Sequence, residues 1–229
     1  TDAELALPLG AARHVQVLRL QPGGAITLFD GTGGEWDATI TRMGRSDVQV
    51  RVGAHHAVER ESTRAVHLVV GLMAAERMDW LVEKATELGA ASLTPVLMAR
   101  SSLRLSGERA EKKRAHWQAV SNAACEQSGR NRLLDVREQL TFQEYFRNAT
   151  NATPPRWVLS LAPDARPVAG CAAALSPTDD VTMVSGPEGG LSSEEDAAAR
   201  AAGWQPITLG ARVLRAETAP LAVLARLTL

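Results

Sequence analysis

The fold of this chain is most constrained by two neighbouring corners. In each of them an apolar run ends in a loop, and a helix follows. The first run, residues 181–184, opens into the glycine-rich stretch 185–190. Ser192-Ser193-Glu194-Glu195 then has the pattern of a capping box that opens a helix. The second run, residues 207–209, passes through a tight loop into a helix that opens near Thr218. In open α/β sheets, ligands bind where strands end and helices begin. The two corners therefore predict one shared pocket, where we expect the chemistry.

The pattern before these corners alternates in the same way. Residues 66–72 are almost unbroken in apolar character, which is typical of a strand covered on both faces. Helical spacing follows over 77–88, another apolar run over 93–98, a long helix over 108–125, and a further strand pattern over 157–161. Alternating strands and helices predict an α/β fold with a mostly parallel sheet and helices on both of its sides.

Over the first sixty residues, the apolar positions recur with a different period. Apolar residues alternate with polar ones at Trp36, Ala38 and Ile40, and again at Val48 and Val50. Alternation with a period of two predicts half-buried antiparallel strands. Before these strands, residues 14–20 predict a short helix, and a polar stretch over 59–64 is typical of a linker. We therefore predict two domains, residues 1–62 and residues 63–229.

Composition excludes several function classes. The 229 residues carry a net charge of −1, which does not mark the chain as a whole as a nucleic-acid binder, although basic residues outnumber acidic ones over 100–132. Cys125 and Cys171 lie far apart, and the five histidines have no ligand spacing, so we expect neither a disulfide nor a metal site. No apolar run approaches the roughly 18 residues of a membrane span. We expect a cytoplasmic protein without a membrane partner.

The glycine-rich loop has the flexibility of a ligand-binding loop but not the composition of a phosphate loop. It lacks the Gly-Lys-Ser/Thr of a Walker sequence, and Glu188 within it would repel phosphate. A carboxylate favours a neutral or cationic ligand, such as the sulfonium of S-adenosylmethionine. Two other interpretations stay open from the residues alone: an ordinary tight turn, and an anion site at the N-terminus of the following helix.

The second corner carries the charged candidates. Val213 and Leu214 are apolar residues in a loop, which favours a flat ligand such as adenine, although packing beneath the loop is the simpler role. Arg212 and Arg215 flank them and indicate a polyanionic partner or a developing negative charge. Glu217 opens the last helix, where an acidic residue is also favoured by the helix dipole.

The motifs taken together resemble those of the RsmE family of 16S ribosomal RNA uracil-N3 methyltransferases, members of the SPOUT (α/β-knot) superfamily. The resemblance covers nearly the whole chain. It is carried by His14 with Val17-Leu18-Arg19, Leu28-Phe29-Asp30-Gly31, Met78-Asp79-Trp80, Lys84-Ala85-Thr86-Glu87-Leu88-Gly89, Cys125-Glu126-Gln127-Ser128-Gly129-Arg130, Gly186-Pro187-Glu188-Gly189-Gly190 and Leu209-Gly210 through Arg212-Val213-Leu214-Arg215 to Glu217-Thr218-Ala219. It implies a PUA-like RNA-binding β-barrel over 1–62, a trefoil-knotted methyltransferase domain over 63–229, and a homodimer acting on 16S rRNA or the small ribosomal subunit.

The resemblance and the residues together give the predicted site. Arg215 is the candidate for stabilising charge on the uracil carbonyl oxygens, and Glu217 is the candidate base. The predicted contacts of S-adenosylmethionine are Leu161, Ser185, Gly186, Pro187, Glu188, Gly189, Gly190, Leu209, Gly210, Val213, Leu214, Thr218 and Ala219. The predicted RNA contacts are Arg19, Arg104, Arg130, Arg132 and Arg212.

This sequence departs from the family pattern in two places. Met73-Ala74-Ala75 stands where the family has basic and glycine residues, and Arg77 alone keeps a charge there; the family's basic first strand is also largely absent. Both departures predict weaker RNA contacts. Three alternatives stay open: another SPOUT enzyme that modifies a different base or a ribose, an RNA-binding assembly protein without catalysis, and, least favoured by Glu188, a nucleotide-phosphate binder.

Overall fold

The computed structural model describes residues 3–45, 47–148 and 155–229. The chain divides into two compact units, the first ending at Arg60 and the second beginning at Glu61. This division falls within the polar stretch 59–64 that the sequence marks as a linker. The roles assigned to the domains 1–62 and 63–229 remain predictions.

The first unit is an antiparallel sheet with one helix. Its strands follow the order β1-β4-β3-β2, and β3 carries two register shifts against β4. Apolar side chains from alternate positions of β3 and β4, including Ile40, Val48 and Val50, pack with Val15 of the helix. This confirms the half-buried alternation seen in the sequence. The elements are β1 (Glu4–Ala6), α1 (Leu9–Val17), β2 (Ala25–Leu28), β3 (Glu35–Met43) and β4 (Val48–His56).

The second unit is built around a parallel sheet of eight strands. Seven of them follow the order β10-β12-β9-β11-β5-β6-β7, and β8 pairs with β6. The elements are β5 (Val66–Gly71), α2 (Ala75–Glu87), β6 (Ser92–Leu97), α3 (Glu108–Ser128), β7 (Asp135–Val136), β8 (Leu140–Thr141), α4 (Phe142–Asn148), β9 (Arg156–Leu159), β10 (Arg166–Pro167), α5 (Val168–Ala173), β11 (Val181–Ser185), α6 (Ser193–Ala201), β12 (Gln205–Thr208) and α7 (Thr218–Thr228).

Both faces of this sheet are covered, as the apolar run at β5 predicts. Leu68 and Val70 pack into a cluster with α2, α3, α5 and α7, where Trp117 is fully covered. Val69 points to the opposite face and packs in a second cluster with α4, α6 and Trp204. The α/β fold class is therefore confirmed. The reason is physical: a parallel strand with helices on both sides must be apolar at successive positions.

Several boundaries differ from the sequence-based predictions. The predicted helix over 14–20 begins five residues earlier, at Leu9, and the predicted strand at 157–161 ends at Leu159. The short strands β1, β7, β8 and β10 and the six-residue helix α5 were not predicted. Elements this short are fixed by tertiary pairing, because two or three residues carry no usable periodicity.

The strand order brings the two corners of the sequence together. β9 lies between β11 and β12, and all three run parallel, so their carboxyl ends meet at one edge of the sheet. The loops after β9, β11 and β12 therefore face one another. Among the described residues, the helices are all too short or too polar to cross a membrane, and those residues include no cluster of three or more acidic, His or Cys side chains that could hold a metal.

Candidate cofactor and substrate site

A cavity of about 470 Å³ lies at the carboxyl ends of β9, β11 and β12. Its walls come from the glycine-rich loop, from the second corner and from the turn after β9. Gly210 and Thr218 are next to lining residues but do not line it themselves. Of the residues proposed for the cofactor, the following line the cavity: Leu161, Ser185, Gly186, Pro187, Glu188, Gly189, Gly190, Leu209, Val213, Leu214 and Ala219.

Other lining residues were not singled out by the sequence. Ser160 and Ala162 flank Leu161 in the turn after β9, and Asp196 lies in the first turn of α6. Arg100, which follows β6, reaches the cavity from a strand that is distant in sequence. A polar residue directly after a strand, as at Ser160, is the one signal that could have identified part of this set.

Backbone contacts and one arginine hold the glycine-rich loop in place. Gly190 has φ +70°, which favours glycine, and its N–H donates to the Pro187 carbonyl at 2.8 Å. Arg100 donates from Nη1 to the Gly189 carbonyl at 2.8 Å and to the Leu191 carbonyl at 3.2 Å. The loop therefore presents a fixed backbone surface to the cavity.

The helix after the loop begins with the capping box that the sequence predicts. Ser192 Oγ accepts from the Glu195 N–H at 3.2 Å, and Glu195 Oε2 accepts from the Ser192 N–H at 2.9 Å. The other carboxylate oxygen of Glu195 accepts from the Ala99 N–H at 2.7 Å. One buried carboxylate thus ties the start of α6 to the end of β6.

Glu188 lines the cavity, but its carboxylate is held by other parts of the protein. Oε1 accepts from the Ala74 N–H at 2.9 Å, and Oε2 accepts from Ser102 Oγ at 3.0 Å. Burial acts to raise the pKa of Glu188, but the hydrogen bonds and the positive charge of Arg77 outweigh it, so the pKa lies below its ordinary value. The structure therefore gives Glu188 a part in anchoring the loop to the start of α2.

Two exposed apolar side chains stand at the cavity wall. Leu161 is 75% exposed and Val213 is 74% exposed, although both are large and apolar. They come from separate loops, one after β9 and one in the second corner. Exposed apolar surface within a concave site indicates a place for a ligand with an apolar face.

Two arginines and two carboxylates lie close together at the edge of the cavity. Arg77 Nη1, in the first turn of α2, lies 3.8 Å from Glu188 Oε1 and 3.8 Å from Glu217 Oε2. Arg215 Nη1 lies 4.0 Å from Glu217 Oε1. Arg215 and Glu217 do not line the cavity, but their neighbours Leu214 and Ala216 do. The proposed catalytic pair is therefore next to the cavity rather than inside it.

A charged cluster fixes the turn after β9. Arg200 of α6 donates from Nη1 to Asp164 Oδ2 at 2.6 Å, from Nε to Asp196 Oδ2 at 2.7 Å and from Nη2 to Ser160 Oγ at 3.3 Å. Ser160 Oγ also accepts from the Ala162 N–H at 3.2 Å. Because Ser160, Ala162 and Asp196 line the cavity, Arg200 controls the position of one cavity wall.

Arg130 corrects the sequence-based assignment. The side chain predicted to bind RNA is buried, with 6% of its surface exposed, and its guanidinium donates to Glu61 and to the carbonyls of Thr86 and Ala90. Its donors are therefore used within the protein. The sequence predicts an RNA contact at Arg130, whereas tertiary packing turns this arginine inward.

The other predicted RNA contacts are at the surface. Arg19 is exposed and has φ +54°. Arg104 is exposed, with a long contact of 3.5 Å from Nη2 to the Ala99 carbonyl, and Arg132 is exposed next to the buried Asn131. Arg212 is exposed as well but lines the cavity, so it is placed to contact a cofactor as well as RNA.

Two family models match this chain. A model described as an RNA methyltransferase domain matches residues 60–228, and one described as an RNA methyltransferase PUA domain matches residues 10–53. Ribosomal RNA small subunit methyltransferase E of a Synechocystis species is 31% identical, covering 99% of this chain and 73% of that protein. The Mycobacterium bovis protein of the same name is 32% identical, covering 89% of this chain and 77% of that protein.

Solved structures agree with the sequence relatives. The ribosomal RNA small subunit methyltransferase E of Neisseria gonorrhoeae, solved bound to S-adenosylmethionine, is 35% identical with a TM-score of 0.87, covering 98% of this chain and 91% of that chain. A Legionella pneumophila protein solved with the same cofactor is 33% identical with a TM-score of 0.91, covering 99% of this chain and 91% of that chain. The chain therefore belongs to the RsmE family of ribosomal RNA small subunit methyltransferases, as its motifs predict.

Proposed function

We propose that this protein transfers the methyl group of S-adenosylmethionine to N3 of a uridine in 16S ribosomal RNA. The observation that carries the proposal is the single cavity to which the glycine-rich loop and the second corner both contribute. The chain belongs to a family of ribosomal RNA methyltransferases, and the Neisseria gonorrhoeae relative binds S-adenosylmethionine. We extend that ligand to this cavity.

The cavity fits this cofactor in size and in chemistry. Its volume of about 470 Å³ is within the range of cofactor sites. Leu161 and Val213 offer apolar surface for an adenine ring, and Arg212 offers a cation for the carboxylate of the methionine part. When bound, S-adenosylmethionine supplies an electrophilic methyl carbon, whose bond to sulfur breaks as its bond to uracil N3 forms.

The protein must also handle the proton on uracil N3, because the imide nitrogen has no free electron pair until that proton leaves. We assign the acceptance of this proton to Glu217, whose carboxylate lies beside the cavity. We assign the stabilisation of the resulting negative charge on the carbonyl oxygens to Arg215. The side chain of Arg215 is 76% exposed, so a substrate can reach it.

A pair of arginine variants tests these roles. We expect Arg215→Ala to lower turnover by about 100-fold with little change in S-adenosylmethionine affinity, because charge that develops only during reaction is lost. Arg212→Ala lies in the same loop and lines the cavity, so we expect it to weaken cofactor binding more than turnover. Equal losses in turnover and cofactor affinity in Arg215→Ala would assign that residue to the cofactor.

The target uridine must be accessible on its Watson–Crick edge, because N3 lies there. We therefore expect activity on an unpaired uridine and none on a fully duplex RNA. The exposed Arg19 and Arg104 are proposed RNA contacts, which predicts binding that weakens steeply with added salt. Efficient methylation of a uridine embedded in a duplex would contradict the proposal.

Calorimetric titration is the first experiment. Micromolar binding of S-adenosylmethionine, with no binding of ATP, supports the methyltransferase and excludes the nucleotide-phosphate alternative. No binding of either ligand would favour the non-catalytic RNA-binding alternative. Mass spectrometry of the product nucleoside then separates N3-methyluridine from a 2′-O-methyl nucleoside, and so decides between this enzyme and another SPOUT activity.

Two further proposals rest on family membership. We propose that the protein acts as a homodimer, with the active site near the subunit interface, and that it works in the cytoplasm, where ribosomal subunits are assembled. Sedimentation equilibrium tests the first: the expected mass is twice the 24.4 kDa of one chain. A monomer at the concentrations of the activity assay would contradict it.

A further inference from the structure

The carboxylate of Glu217 is enclosed but incompletely bonded. Its side chain is 10% exposed, and Oε2 is covered without a hydrogen-bond partner among the described residues. Arg77 lies 3.8 Å from Oε2, and Arg215 lies 4.0 Å from Oε1, so both cations are near but neither is within hydrogen-bond distance. Buried carboxylate oxygens normally collect hydrogen bonds. Oε2 of Glu217 can therefore accept a hydrogen bond from a ligand.

The order of the Arg77 guanidinium, the Glu217 carboxylate and the Arg215 guanidinium defines which ligand fits. Guanidinium groups only donate hydrogen bonds, and an ionised carboxylate only accepts them. The cluster Arg77, Glu217, Arg215 therefore presents donor, acceptor, donor. The Watson–Crick edge of uracil presents the opposite order: a carbonyl oxygen, the N3–H group and a second carbonyl oxygen. Cytosine presents an amino donor and an unprotonated N3 instead, so two of its three positions conflict with the cluster.

We infer that Arg77, Glu217 and Arg215 form a uracil-recognition site, in which Arg77 determines base specificity. Arg77 and Arg215 donate to the two carbonyl oxygens, and Glu217 accepts from N3–H. The inference rests on the proposed function and adds Arg77, which lies outside both motif corners of the sequence. From the sequence, the segment around Arg77 is predicted only to strengthen RNA binding in general.

The position of Arg77 supports this role. It lies in the first turn of α2, and its Nη1 is also 3.8 Å from Glu188, a residue that lines the cofactor cavity. The two carboxylates hold the guanidinium between the glycine-rich loop and the second corner. The side chain is 40% exposed, so a flipped base can reach it. A base bound there lies next to the cavity proposed for the methyl donor.

Base replacement in the RNA tests the inference. The probes are small ribosomal subunits reconstituted with in vitro transcribed 16S rRNA that carries either uridine or cytidine at the modified position, together with the same two RNAs free of protein. A site built to hydrogen-bond one edge rejects another edge by large factors, so we expect the wild-type protein to methylate the uridine at least about 1,000-fold faster. Arg77→Met should slow the uridine reaction about 100-fold and the cytidine reaction far less. The ratio of the uridine rate to the cytidine rate should therefore fall at least tenfold.

Three further variants make the result independent of folding effects. Arg77→Lys keeps one cation and should recover part of the ratio. Lys112→Met removes an exposed cation on α3 and should change neither rate. Glu217→Gln places a possible donor opposite N3, and cytosine has no N3 proton to remove, so this variant should move the ratio towards cytidine even if Arg77→Met does not fold.

The outcomes separate the two proposals. If the wild-type protein forms N3-methyluridine and Arg77→Met binds S-adenosylmethionine normally but keeps the full uridine preference, the recognition site is overturned and the proposed function stands. Equal slowing of both RNAs by Arg77→Met also overturns it, because a general electrostatic or packing role has that effect. A wild-type protein that forms no N3-methyluridine overturns the proposed function and this inference together.

Discussion

Arg130 donates two parallel hydrogen bonds to the carboxylate of Glu61, from Nε to Oε1 and from Nη2 to Oε2, each at 2.7 Å. The same guanidinium donates to the carbonyls of Thr86 at 3.1 Å and Ala90 at 2.8 Å. Bidentate pairing in a buried place is the strongest form of this interaction. Arg130 therefore holds the chain at Glu61 against the turn that ends α2.

Removal of Arg130 should therefore affect stability. We expect Arg130→Ala to lower the free energy of unfolding by about 3 kcal/mol, because the bidentate pair with Glu61 and the two hydrogen bonds to backbone carbonyls are lost in a buried place. Urea unfolding followed by circular dichroism measures this. Lys112→Ala, which breaks the exposed pair with Glu108, is the control and should cost less than about 1 kcal/mol. Unchanged stability together with weaker RNA binding in Arg130→Ala would restore the original assignment to RNA.

Gly71, at the end of β5, sets the position of the glycine-rich loop from outside the motif. A Cβ atom there would lie 2.4 Å from Pro187 Cδ and 2.9 Å from Met98 Sδ, so the loop would have to move. We expect Gly71→Ala to weaken S-adenosylmethionine binding about tenfold, equivalent to about 1.4 kcal/mol, as measured by calorimetry. Gly170→Ala, whose Cβ would meet no atom within 4 Å, should bind as the wild type does.

Arg200 should control cofactor affinity through the cavity wall. We expect Arg200→Ala to weaken S-adenosylmethionine binding about fivefold, or about 1 kcal/mol, because Ser160 and Asp164 lose the contact that fixes the turn after β9. Asp164→Ala should have a smaller effect, and the double variant should be no worse than Arg200→Ala. Arg51→Ala removes an ion pair of the first unit, with Glu4, and is the control. Additive losses from Arg200→Ala and Asp164→Ala would contradict this coupling.

His67 should make stability depend on pH. Burial, together with the positive charge of Arg137, lowers the pKa of His67 below its ordinary value of 6.5, and Nδ1 lies 2.8 Å from Ser92 Oγ. The unfolded chain therefore takes up a proton at a higher pH than the folded protein does. The contribution to stability is present above pH 6.5 and is lost as the pH falls through the lower, folded-state pKa.

Chemical unfolding over a pH series measures this dependence. Between about pH 7.5 and pH 5, the free energy of unfolding should decrease, with a limiting slope of about 1.4 kcal/mol per pH unit from this one group. His67→Gln cannot take up the proton and keeps a polar partner for Ser92, so its slope should be smaller. Identical slopes in His67→Gln and the wild type would assign the pH dependence to other groups.

The sequence by itself determined the fold class, the family and most of the residues that line the cavity. The unbroken apolar run of β5 requires cover on both faces, and the alternation of strands with helices predicts the mostly parallel sheet. The glycine-rich loop and the second corner are local patterns, so Gly186 and Val213 could be assigned from neighbouring residues. The capping box at Ser192 was likewise visible, since it involves residues only three positions apart.

Only the tertiary structure decided which side chains face inward and which distant residues meet. Arg130 lies in a polar stretch that is typical of a surface loop. The carboxylate of Glu61, 69 positions away, nevertheless pairs with it in the interior. Arg77 and Arg100 reach the site from α2 and from the loop after β6, which no local pattern connects with it. The physical reason is that charge pairing is set by distance in space, and spacing along the chain carries no information about it beyond a helical turn or a strand pair.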